Sequence, residues 1–238
     1  MNTYQTLLAT GALLLSFNLA QAETVFTETF DGTGSLNGST TTTGSGTWVA
    51  DADYNENGTI TGYGAGGAYL AYDFQDGYVY TASVQVTVGG SDGNRWGGLS
   101  FTSATDLSDD ITLGLSSNSN AHLTYAVRKD NGMAFWEGPG AGGAKSHASD
   151  VSDTVTLELV LDTTGTDWTY STTVNSVVRI TPGTYTGTKD LTGVGLYMST
   201  GAVTFDNFEF TAIPETSHAG LLMGLLAAPL AVCLRRRR

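Results

Sequence analysis

Two stretches of this chain alternate apolar and polar residues, and that period of two confines them to β-structure. In Tyr78–Val88, the residues Tyr80, Ala82, Val84, Val86 and Val88 share one face, and Thr81, Ser83, Gln85 and Thr87 share the other. In Thr154–Asp162, Val155, Leu157, Leu159 and Leu161 point one way, and Thr156, Glu158 and Asp162 the other. Successive side chains of a strand point to opposite sides, so this pattern describes a sheet with one buried face. No segment holds a helical period over three turns.

Shorter runs of the same kind are Val25–Phe30, Gly46–Ala50, Ala68–Phe74, Trp96–Thr102, Ile111–Leu115, His122–Arg128, Met133–Trp136, Trp168–Val174, Val177–Ile180, Val194–Met198 and Val203–Thr211. Asn175-Ser176 sits between two of them, as a hairpin turn should. About a dozen short strands with turn signals between them give a sandwich or a barrel. One apolar and one polar face per strand favours the sandwich, because two sheets then bury their inner faces against each other. The expected fold is an all-β, antiparallel two-sheet β-sandwich. The Gly/Ser/Thr-rich stretch from Asp31 to Gly46 reads as a long surface loop or a linker.

The chain ends carry a different pattern. Leu7–Ala20 is largely apolar, and Ala20-Gln21-Ala22 is an A-x-A site, so residues 1–22 read as a signal peptide ending at Ala22. At the other end, Pro214-Glu215-Thr216-Ser217-His218 precedes sixteen uncharged residues, Ala219–Leu234, and then Arg235–Arg238. If helical, such a run rises only ~24 Å, short of a ~30 Å hydrocarbon core. The arginines mark the cytoplasmic side. This three-part tail, 214–238, resembles a PEP-CTERM sorting signal, with Thr216 where that family has a second proline. The resemblance implies an exported bacterial protein, transient membrane engagement and an exosortase-type membrane protease as partner, with Pro214 and Glu215 at the processing region. An ordinary tail anchor is the other reading.

Residues 23–213 then form the domain. Of the 23 acidic residues only Glu215 lies in the tail, and of the ten basic ones four do, which leaves the domain near −16. Such a charge repels nucleic acid and anionic lipid. It suits an extracellular protein or one that binds cations. The single cysteine, Cys233, is in the tail, so the domain folds without a disulfide of its own.

Glu28-Thr29-Phe30-Asp31-Gly32 opens this domain and Phe205-Asp206-Asn207-Phe208-Glu209-Phe210 closes it. In these ends it resembles the concanavalin A-like jelly rolls of bacterial surface proteins, including laminin-G-like modules. That resemblance implies the fold, and it maps a structural calcium onto Glu28 and Asp206. Glu28 shares strand parity with Phe26 and Phe30, and Asp206 is assigned the parity of Phe208 and Phe210. Carboxylates on apolar faces are costly unless paired or metal-bound. Solvation at strand ends is the alternative.

A second metal reading rests on Asp53-Tyr54-Asn55-Glu56-Asn57-Gly58-Thr59-Ile60, which fits the first eight positions of a calcium loop. Asp53, Asn55, Asn57 and the Thr59 carbonyl would be ligands, with Asp51 from the other side. Position twelve is Gly64 rather than Glu. The alternative is an Asx-rich turn whose Asn57-Gly58 feeds a strand.

Glycan binding needs exposed aromatic platforms. The aromatic residues beside polar groups are Trp96 with Arg95, Trp136 with Glu137, and Tyr54 and Tyr63 flanking the Asx-rich segment; burial in the core is the competing role for each. Catalytic patterns are absent. No Glu-x-Asp-x-Glu triplet places paired carboxylates on one strand face. His122 and His147 have no nucleophile partner visible in the sequence. The expected function is a non-catalytic, exported surface or matrix protein that binds carbohydrate or exopolysaccharide. A glycan-active enzyme and a purely structural matrix component are the alternatives.

Overall fold

The computed structural model describes residues 22–51, 54–61, 66–89, 95–103, 121–128, 132–137, 145–147, 154–198 and 202–215. Side chains are not described for 121, 132–137 and 145–147. Residues 1–21 of the expected signal peptide and the tail beyond Glu215 therefore lie outside the described residues, as do Ile111–Leu115, Asp53 and Tyr63. Ala22–Pro214 forms one compact unit, and every regular element described in it is a strand.

The strands in chain order are β1 (Glu23–Glu28), β2 (Thr33–Ser35), β3 (Trp48–Ala50), β4 (Asn55–Asn57), β5 (Ile60–Thr61), β6 (Gly66–Ala71), β7 (Tyr78–Val88), β8 (Trp96–Thr102), β9 (Ala121–Arg128), β10 (Gly132–Glu137), β11 (Lys145–His147), β12 (Thr154–Asp162), β13 (Thr169–Val174), β14 (Val177–Thr184), β15 (Gly193–Met198) and β16 (Val203–Pro214). They make two antiparallel sheets. One runs β14-β13-β12-β7-β16-β5-β4-β2, with β1 also on β16; the other runs β11-β10-β9-β8-β15-β6-β3. This is the expected sandwich. Alternation sets its layers: the inward residues of β7 and β12 are buried at every second position. Opposite them, Leu99, Phe101, Leu123, Tyr125, Val127, Val194, Leu196 and Met198 close the core from the second sheet. At Gly97 the two sheets approach closely, since a Cβ there would lie 2.5 Å from Val203 and 2.6 Å from Val86.

β16 is the longest strand. It pairs with β7 along its length, from Val203↔Val88 to Pro214↔Tyr78. Its other edge is shared: Thr204 and Phe205 pair with β5, and Phe208–Ala212 with β1. The neighbour changes at a bulge between Asp206 and Glu209, where Asn207 has φ 50°. A bulge inserts one unpaired residue and bends the strand. It also reverses the parity read from the sequence. Phe205, Phe208 and Phe210 all face the core, so Asp206 faces outward and is half-buried.

β1 stops at Glu28, two residues short of the expected Phe30, because Phe30 turns into the left-handed region at φ 53°. The stretch from Asp31 to Gly46 is no linker. It contributes β2, bridges Thr27↔Thr43 and Thr40↔Thr47, and buries Leu36 completely.

The β13–β14 turn forms as expected, with Val174 opposite Val177. Both turn residues are left-handed, Asn175 at φ 49° and Ser176 at φ 64°. That backbone favours glycine at the second position of the turn. Ser176→Gly is expected to stabilise the domain by ~0.5–1 kcal/mol, raising the melting temperature by about 1–4 °C. Thermal unfolding checks this, and a lowered melting temperature would contradict it.

Candidate functional site

The outer face of the seven-stranded sheet gathers side chains that a structural role alone does not require. Trp96, Gly98, Ser100 and Thr102 of β8 alternate with the core residues Gly97, Leu99 and Phe101. On β9 the outward set is His122, Thr124, Ala126 and Arg128, and on β15 it is Gly193, Gly195 and Tyr197. The ladders align them, with Trp96 opposite Arg128, Ser100 opposite Thr124, and Gly98 opposite both Ala126 and Tyr197. At one corner, half-buried Trp96 packs on Ala126 and Tyr197, and the Arg128 guanidinium stands 5.1 Å from its ring centroid. Next to this corner Ser100 is 1% exposed and Thr124 0%. Among the described aromatic side chains of this face, Trp96 is the one that meets water.

Trp136 stands opposite Thr124 in the β9–β10 ladder, so its register brings it to the sheet that carries Trp96. Arg95 donates Nη1–H to the Gly89 carbonyl at 3.0 Å. Tyr54 is not a platform. It is 1% exposed, and its hydroxyl donates to the Gly66 carbonyl and accepts from the Met198 amide at 3.1 Å. Burial pushes its phenol well above the usual range. Burial in the core, the competing role the sequence offered, is its role: it pins the β4–β5 hairpin to β6 and β15.

The Asx-rich segment forms the hairpin that was one of its two readings. Asn55–Asn57 is β4, Gly58 turns at φ 74°, and Asn55 and Glu56 pair with Thr61 and Ile60. Asn55 and Thr59 are half-buried and Asn57 is exposed. Asp51 is committed to β6, its carboxylate accepting from the Gly67 amide at 2.7 Å.

Glu28 and Asp206 are not brought together as a carboxylate pair on one apolar face. Glu28 is 4% exposed, and its Oε1 accepts from the Phe30 amide and the Thr42 hydroxyl, both at 2.9 Å. Those bonds explain a buried carboxylate by protein donors, and they hold the left-handed turn at Phe30. Asp206 accepts from the Asn207 amide at 2.7 Å on the outward side of the bulge. Among the described residues no group of three or more His, Cys, Asp or Glu is placed to hold a metal ion.

Sequence reasoning missed one cluster. His122, 3% exposed, has its Nε2 2.9 Å from the Ser103 hydroxyl and its Nδ1 3.1 Å from the Tyr185 hydroxyl. Ser103 follows β8, and Tyr185 lies in the segment leading to β15, so only the fold unites them. Burial lowers the His122 pKa below its ordinary 6.5, and Asp190, 3.9 Å from Nε2, raises it in part.

No protein-family model and no curated protein matches this chain. Solved structures do match in shape. A Trypanosoma rangeli sialidase in complex with 2,3-difluoro-KDN matches over 79% of this chain and 30% of its own, at 14% identity and TM-score 0.56. The endo-1,3-β-glucanase of Streptomyces sioyaensis matches over 81% and 97%, at 13% identity and TM-score 0.48. The carbohydrate-binding module CBM66 of Bacillus subtilis matches over 81% and 94%, at 14% identity and TM-score 0.39. At such identities the likeness is one of fold, a jelly-roll sandwich.

A depressed histidine pKa has a defined consequence for stability. The unfolded imidazole takes up a proton below about pH 6.5, whereas the folded one resists until lower pH. Stability is therefore full above the unfolded value and is lost as pH falls through the window below it. Melting temperature is expected to fall between pH 7.5 and pH 5, and His122→Gln should flatten that dependence. An equal slope in both proteins would contradict the assignment.

Proposed function

We propose that this chain is an exported β-sandwich that binds carbohydrate, without cleaving it, at the Trp96 corner of its seven-stranded sheet. The observation that carries the reading is the half-exposed Trp96 ring, packed against Tyr197 and Ala126 and with the Arg128 guanidinium over the ring. A sugar ring presents C–H groups on one face and hydroxyls at its edges. An indole supplies the apolar surface for the first, and a guanidinium donates hydrogen bonds to the second. The ring is preorganised, so little side-chain entropy is lost on binding.

The A-x-A site at Ala20–Ala22 and the Arg-stopped tail support export, surface or extracellular-matrix location and release by an exosortase-type protease. The charge near −16 supports a solvated extracellular setting and argues against nucleic acid. The fold likeness to carbohydrate-handling proteins is consistent with this reading and does not choose between binding and catalysis.

The test is a glycan array and a panel of extracellular polysaccharides, followed by calorimetry on the best oligosaccharide. A ring at the centre of a binding site contributes ~2 kcal/mol, so Trp96→Ala is expected to weaken binding roughly 30-fold. Arg128→Ala should weaken it several-fold, and Lys189→Ala, on Trp168, should leave it unchanged. Binding that survives Trp96→Ala at full strength would refute the site, and absence of any ligand would favour a purely structural matrix component.

A further inference from the structure

The hydrogen bonds around His122 fix its tautomer. The Tyr185 hydroxyl donates its proton to the Thr188 carbonyl at 2.7 Å. The Thr188 hydroxyl donates to the Asp190 carboxylate. Both oxygens near Nδ1, Tyr185 at 3.1 Å and Thr188 at 3.4 Å, are thus left as acceptors. Nδ1 must carry the imidazole proton, and Nε2 presents a lone pair. Its partner at 2.9 Å, the Ser103 hydroxyl, is therefore the donor. A hydroxyl hydrogen-bonded to a basic nitrogen, whose ring is oriented by a third group, is the signature of an activated nucleophile.

Asp190 does not complete a triad of the usual order. It lies 3.9 Å from Nε2, on the side of the serine, and its side chain is 68% exposed. It is placed to stabilise the imidazolium that forms when Nε2 takes a proton, while Tyr185 holds Nδ1. Asp190 and Tyr185 are the titratable groups recorded against this imidazole among the described residues. Its burial keeps the ring neutral near pH 7, which is the state a general base needs.

We propose that Ser103 and His122 form a nucleophile–base pair that cleaves small acyl esters. Ser103 Oγ attacks the ester carbonyl carbon as its proton passes to His122 Nε2. The bond from that carbon to the leaving alkoxide oxygen breaks, and the alkoxide takes the proton from Nε2. Water then attacks the acyl-serine, giving up its proton to Nε2, which returns it to Ser103 as the carboxylic acid departs. Ser103 is half-buried and His122 almost wholly so, and the acyl group proposed is a small one, acetyl. Tyr185 is a positioning residue. This activity is separate from the Trp96 corner and stands or falls without it.

The full chain is treated with a fluorophosphonate probe, and hydrolysis of p-nitrophenyl acetate is followed from pH 4.5 to 8.5. The expected result is one phosphonyl adduct, mapped by mass spectrometry to Ser103 and absent in Ser103→Ala. Ester hydrolysis should fall at least 100-fold in that variant. The wild-type rate should rise with pH to a plateau, with its midpoint below 6.5. Tyr185→Phe keeps the ring and removes the acceptor from Nδ1–H, so the midpoint should move lower still; an unmoved midpoint would take Tyr185 out of the account. Circular dichroism shows whether each variant is folded. A folded Ser103→Ala protein with undiminished hydrolysis, or a wild type that takes no label at Ser103, overturns the proposal.

Discussion

The β7–β16 ladder is the interaction on which the rest of the structure depends. It joins two long strands far apart in sequence, from Val203↔Val88 to Pro214↔Tyr78. Their inward faces supply Tyr80, Ala82, Val84, Val86 and Val88 on one strand, and Val203, Phe205, Phe208, Phe210 and Ala212 on the other. Phe210 alone lies within aromatic contact range of Phe26, Tyr72, Phe74, Tyr80 and Phe101. β12 extends the sheet on one side; β5 and β1 share the other. Because β16 closes the domain, the sheet cannot be completed until nearly the whole chain is available. Such non-local pairing costs loop-closure entropy before burial compensates it.

The bulge at Asn207 reconciles two demands on β16. One strand must stay paired with β7 while passing from β5 to β1 on its other edge. The extra residue supplies the bend at the handover, and the same residue decides where the closing carboxylates point. Glu28 is buried and held by the Phe30 amide and the Thr42 hydroxyl, whereas Asp206 faces out beside the bulge. A buried carboxylate here is therefore a device for turning the chain after β1.

The limits of β7 and β12 could be read to the residue, since one buried face imposes alternation on each; β8 also has the expected limits, although it is buried on both faces. The Asn175-Ser176 turn was legible because few residue pairs accept two left-handed conformations. Parity across Asp206 was not legible: a single inserted residue reverses every later side chain, and no local pattern announces it. The sequence left Tyr54 between platform and core because its neighbours are turn residues, while its burial is set by Gly66 and Met198, which are remote in sequence. The meeting of Ser103 with His122 depends on two strand ends and a distant loop. The Trp96 corner was half legible. The indole stood out, but its Arg128 and Tyr197 partners come from other strands, and Arg95, its neighbour in sequence, turns to Gly89 instead.

The account places recognition on the outer face of one sheet and excludes the β4–β5 hairpin, whose tyrosine belongs to the core. Amide and indole NMR spectra recorded during titration with the tightest-binding oligosaccharide test this division most directly. The account predicts that shifts concentrate on the Trp96 indole and on the amides around Trp96, Arg128 and Tyr197, while Asn55–Thr61 stays unmoved. Shifts centred on the β4–β5 hairpin, with the Trp96 indole unchanged, would contradict it.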